Sequence, residues 1–74
     1  MVEPKSIPKG LYRHFKGGLY EVVDTVIDSE TLQTMVLYRP LGTPYWWVRP
    51  YEMFCGKVER DGVAMQRFLL EEAR

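Results

Sequence analysis

The chain has one cysteine and one histidine in 74 residues. A lone cysteine, Cys55, excludes an internal disulfide, and with nothing else marking an oxidising compartment the expected location is the cytoplasm. Structural zinc takes four Cys or His ligands, so one of each leaves no metal centre, and no cofactor is implied. An excess of either charge is also missing, since ten Lys plus Arg balance ten Asp plus Glu. That balance removes the long-range attraction most nucleic-acid binders use on phosphates, so nucleic acid is a disfavoured partner. No stretch approaches the ~18 apolar residues of a membrane span. The opening "MVEPKSIPKG" has two prolines, two lysines and no apolar core, so it does not read as a signal peptide, and no membrane partner is expected. There is no glycine-rich phosphate loop, because Gly17-Gly18 fits a turn that needs positive φ.

Aromatic residues are what the chain does have, 14% of the total. They crowd most densely in "PYWWVRPYEMF", Pro44 to Phe54, around Arg49. Residues 1–10, with Pro4 and Pro8, read as a flexible lead-in. From Leu11 the sequence breaks into short segments rich in β-branched and aromatic residues: "LYRHFK", "LYEVVDTVID", "TMVLYRP", "WWVRP" and "GKVER". Gly17-Gly18, "DSET", "LGTP" and Asp61-Gly62 punctuate them. Such spacing, with no helix-period window before Asp61, predicts an all-β fold, a meander of antiparallel strands curled into a small barrel. The second strand loses its alternation at Val22-Val23 and at Val26-Ile27, as a strongly bent strand with a bulge would, and its register stays open. After Asp61 two readings stay open from local sequence, a hairpin turning at Asp61-Gly62 or a helix capped by Asp61 through "VAMQRFLLEEAR".

The ordered set "YRHFKGGLYEVV", "DSETLQTMVLYRPL", "WVRPYEMF" and "DGVAMQRF" resembles a small bacterial family of uncharacterised proteins. The resemblance spans Leu11 to Phe68 and departs from the family pattern at Asp28, where a histidine is expected. It implies an SH3-like β-barrel domain over residues 11–68 and favours the hairpin reading of the tail. Phe68 would then return to the barrel and residues 69–74 would trail as a frayed tail. No reaction, cofactor or partner comes with it.

Two-residue alternation groups the candidate site. Tyr12 and His14 share one face of the first strand, and Trp47 and Arg49 share one face of the fourth, with Trp46 and Val48 opposite. The expectation is that Trp46 and Val48 face the core, while Tyr12, His14, Trp47 and Arg49 form an outer, ligand-binding surface. An indole there would stack and a guanidinium would favour an anionic group. His14 with Cys55 is the one pair available for nucleophilic catalysis, but a small residue ending "MF" explains Cys55 and a hydrogen-bonded rim imidazole explains His14. The sequence therefore favours a non-enzymatic binding or adaptor module whose partner is a peptide or protein segment. The alternative is an RNA- or ribosome-associated module drawing on Lys5, Lys9, Arg13 and Lys16, followed by a small enzyme or enzyme subunit.

Overall fold

A computed structural model of the chain describes residues 5–74. Seven strands and one helical turn follow one another as β1 (Gly10–His14), β2 (Leu19–Ile27), β3 (Thr34–Pro40), β4 (Trp47–Pro50), α1 (Tyr51–Cys55), β5 (Lys57–Arg60), β6 (Val63–Gln66) and β7 (Phe68–Ala73). The fold is all-β and antiparallel. Five strands form one sheet in the order β4-β3-β2-β1-β7, and β5 and β6 pair as a separate hairpin. The two outer strands, β4 and β7, do not pair with each other, so the expected barrel is not closed.

Of the two places where alternation breaks in β2, the bulge falls at Val22-Val23, where Val22 opposes Tyr38, Asp24 opposes Leu37 and Val23 is the extra residue, while Val26 and Ile27 pair in regular register with Met35 and Thr34. It reverses the parity of β2, which is why simple alternation fails along that strand. Asp61-Gly62 makes the tight turn between β5 and β6. Both residues have positive φ, +52° and +77°, the combination that matches the twist of a two-residue hairpin. One element departs from the strand reading, the single turn α1, which contacts β3 and β4 and delivers Phe54 to the interior.

The core consists of Tyr12, Val22, Val36, Tyr38, Phe54 and Phe68, all buried, with Ile7, Tyr20 and Tyr51 packed against it. Phe54 stacks on Phe68 with centroids 4.0 Å apart, and Tyr12 and Tyr38 meet Phe54 edge-on at 5.5 and 5.3 Å. Four rings from four separate elements thus fill a space that a chain this short cannot fill with aliphatic side chains from one sheet.

Both ends differ from expectation. Of the lead-in, residues 1–4 lie outside the described residues, whereas the next few are tied to the domain. The Tyr12 hydroxyl donates to the Pro8 carbonyl (2.5 Å), Tyr51 to that of Ser6 (3.0 Å) and Thr25 to that of Lys5 (2.9 Å). Residues 69–73, expected to fray, belong to β7 and pair with β1, from His14 opposite Phe68 to Gly10 opposite Ala73. The Arg74 amide then donates to the Lys9 carbonyl. β7 has five exposed side chains in six, so its hydrophobic signal is weak. Backbone pairing and the Phe68 anchor hold it.

The tryptophans also differ. Trp46 and Val48, expected inside, are 47% and 54% exposed. Trp46 lies under the Arg39 guanidinium, 4.4 Å from its ring centroid. Trp47 opposes Tyr38 across the ladder and touches the rings of Tyr20 and Tyr38. Trp47 and Arg49 therefore face the concave side of the sheet. Trp46→Ala removes one exposed cation–π contact, a loss of about 0.5–1 kcal/mol. Trp47→Ala removes two contacts with the aromatic cluster and is expected to be the more destabilising of the two, with both variants folded. Urea unfolding of the pair checks this, and Trp46→Ala as the costlier change would contradict the orientation described.

Candidate functional site

The four sequence-predicted residues do share a face, but it is the concave one. In β1 the sequence Gly10, Tyr12, His14 points inward because Tyr12 pairs opposite Tyr20 and packs on Phe54. Tyr12 is 5% exposed and its hydroxyl is occupied by Pro8. It is a core residue, so its expected place on an outer surface is corrected. Burial is the first cause that raises its phenol above the usual range.

His14, Trp47 and Arg49 are brought together at one end of the sheet, where β1 stops and β2 begins. Two rings that the sequence reading did not single out, Tyr20 and Phe68, join them. His14 meets Phe68 at 4.9 Å and Tyr20 at 5.9 Å, and Tyr20 in turn meets Trp47 at 6.1 Å. The Arg49 guanidinium lies over the Phe68 ring at 5.8 Å, while its Nε donates to the Tyr38 hydroxyl (3.1 Å) and Nη1 to the Met53 sulfur (3.6 Å). Arg49 does not pair with Glu52, which accepts from Lys5. Trp47, 45% exposed, forms the rim.

The electrostatics of this end are one-sided. His14 Nδ1 accepts the Lys16 amide (3.1 Å), so the neutral ring carries its proton on Nε2. Desolvation, then the positive charges of Arg49, Arg67 and Lys16, hold the imidazole below its ordinary pKa. Arg67, in the step from β6 to β7, donates through Nε to the Met53 carbonyl (3.2 Å). Its place next to Phe68 in the chain is plain from the sequence, but its hydrogen bond to Met53 depends on α1. On the other side of His14 a cleft of about 480 Å³ is lined by Phe15, Met65, Leu69 and Leu70, with the Arg13–Glu71 ion pair at its edge.

Cys55 is exposed, yet partial desolvation of its thiol raises it above the ordinary range, away from the thiolate form that a nucleophile requires. Among the described residues no hydrogen bond or ring contact joins it to His14. No helix of the described chain is long and apolar enough to cross a membrane.

These features define a small all-β domain with an open, aromatic end rimmed by guanidinium groups. A family model described as a protein of unknown function, DUF1653, matches residues 10–70, and the chain belongs to that family. The crystal structure of a DUF1653 protein from Bordetella bronchiseptica is similar to it, with a TM-score of 0.81, 22% identity, and coverage of 92% of this chain and 91% of that one. This likeness establishes the shared fold. No curated protein matches the chain.

Proposed function

We propose that the domain is a cytoplasmic binding or adaptor module that takes an extended peptide or protein segment across the end of the sheet bearing Trp47. The observation that carries this reading is the placement of a half-exposed indole, seated on Tyr20 and Tyr38, on an edge strand with no strand beyond it among the described residues. An edge strand offers backbone donors and acceptors to an added strand, and an aromatic shelf beside it offers a place for alternate side chains. Tyr45, 71% exposed, extends the aromatic surface just ahead of β4.

The RNA-associated reading draws less support. Two of the four basic residues it rests on are neutralised locally, Lys5 by Glu52 and Arg13 by Glu71.

The test is a shift-perturbation screen of the isotopically labelled protein against unlabelled peptides, mapped onto β4 and the Trp47 indole. Trp47→Ala and Arg49→Lys are expected to weaken any hit at least tenfold while Trp46→Ala leaves it nearly unchanged. Peptide binding that survives both substitutions would move the site elsewhere on the domain.

A further inference from the structure

The chain as a whole is neutral, yet its charges are not evenly compensated. Glu21 takes both Arg39 (2.8 Å) and Arg74 (3.3 Å), Glu52 takes Lys5, and Glu71 takes Arg13. Arg49 and Arg67 have no carboxylate partner among the described residues. Both nevertheless converge on one residue, Met53 of α1, Arg49 through the sulfur and Arg67 through the carbonyl oxygen. Each uses only part of its fork in doing so. The rest of both guanidinium groups, together with His14 Nε2, has no acceptor among the described residues. Desolvation and then both of these charges depress the neighbouring imidazole, so the two cations act on one spot, an arrangement that an oxyanion would relieve.

We propose that Arg49, Arg67 and His14 form a receptor for one carboxylate, supplied by an acidic residue of the bound peptide whose apolar neighbour lies on Trp47. The inference rests on the peptide-binding reading and adds to it the charge of the partner. Arg67 acquires a role that the sequence pattern did not assign. A planar fork matches a carboxylate in geometry as well as charge, so Lys in place of either arginine keeps the charge and loses the two-point contact. The aromatic rings behind the site keep water from one side of the pair, which strengthens it relative to a fully solvated contact.

Four groups set the electrostatics around His14: its own imidazole, Arg49 from β4, Arg67 from the β6–β7 step and Lys16 from the turn after β1. Three of them are cations, so a bound carboxylate raises the imidazole pKa. His14 is the single histidine of the chain, so its ring signals report this without ambiguity.

The experiment compares acetyl-Phe-Glu-Leu-amide, its Gln counterpart acetyl-Phe-Gln-Leu-amide, and inorganic phosphate, each titrated into labelled protein while the Trp47 indole, arginine Nε and His14 ring signals are followed. The Glu peptide is expected to bind at least tenfold more tightly than the Gln peptide and to move the His14 titration midpoint upward. Arg67→Gln is expected to erase the difference between the peptides, Arg67→Lys to retain only part of it, and thermal melts of both variants establish that they remain folded. Equal binding of the two peptides at Trp47 would overturn the carboxylate receptor and leave the peptide reading standing. Shifts at Arg49, Arg67 and His14 with phosphate, and none at Trp47 with either peptide, would retain an anion receptor and overturn the peptide reading. Silence with all three probes overturns both.

Discussion

Phe54→Ala is expected to remove a large share of the domain's stability and leave it marginally folded at room temperature. Phe54 is 1% exposed and stacks on Phe68 while receiving the edges of Tyr12 and Tyr38. Truncating a buried Phe costs about 3–5 kcal/mol, and a chain of this length has roughly 4–11 kcal/mol of total stability. The loss is compounded by the nature of α1, five residues long with no side-chain cap at its N-terminus. A single turn has no helical stability of its own. Without Phe54 to anchor it, α1 no longer presents Met53 to Arg49 and Arg67, so the site should loosen together with the core. Urea unfolding monitored by tryptophan fluorescence, alongside amide signal dispersion, reads both effects. A wild-type unfolding midpoint in this variant would refute the core described.

Gly10→Ala is expected to detach β7 from β1. Gly10 has φ of +143°, a conformation that side-chain-bearing residues rarely adopt, and an added Cβ would collide with the Glu72 carbonyl oxygen and press on the Ala73 Cα at 3.0 Å. Both obstacles are backbone, so neither can rotate away. The strain and the lost pairing together should cost at least ~2 kcal/mol, which lowers the melting temperature of so small a domain by roughly 10 °C or more. Amide exchange should accelerate selectively along residues 69–73. Gly17→Ala serves as the control, because its added Cβ meets nothing within 4 Å and only the φ of +105° is strained. Equal destabilisation by the two substitutions would argue that backbone conformation alone, rather than the close approach of β7, sets the cost at Gly10.

Side-chain alternation correctly placed Tyr12 with His14 and Trp47 with Arg49, because successive residues of any strand point to opposite faces. It assigned both pairs to the wrong side. Alternation relates the residues of one strand to each other and carries no information about which face will be covered. In β4 the pattern is further blurred because both faces carry apolar bulk, Trp46 and Val48 on one and Trp47 on the other. The inner side is set by Phe54 and Phe68, which arrive from α1 and β7 and close over Tyr12 and Tyr38. The same long-range packing created the Arg49–Met53–Arg67 arrangement, whose members are spread over 19 positions of sequence.

The amino-acid sequence by itself determined the antiparallel strands before Asp61 and the grouping of residues on each strand, and it offered a bulge at Val22-Val23 or Val26-Ile27 and a turn at Asp61-Gly62 without deciding either. All of these are local consequences of side-chain shape and backbone sterics. Only the tertiary structure decided that the barrel stays open, that β7 pairs with β1 instead of fraying, and that Tyr12 belongs to the core. Each of those outcomes depends on which distant surfaces meet. A strand with five exposed side chains gains its stability from a neighbour's backbone, and a tyrosine becomes interior only when a phenylalanine some forty residues away packs against it.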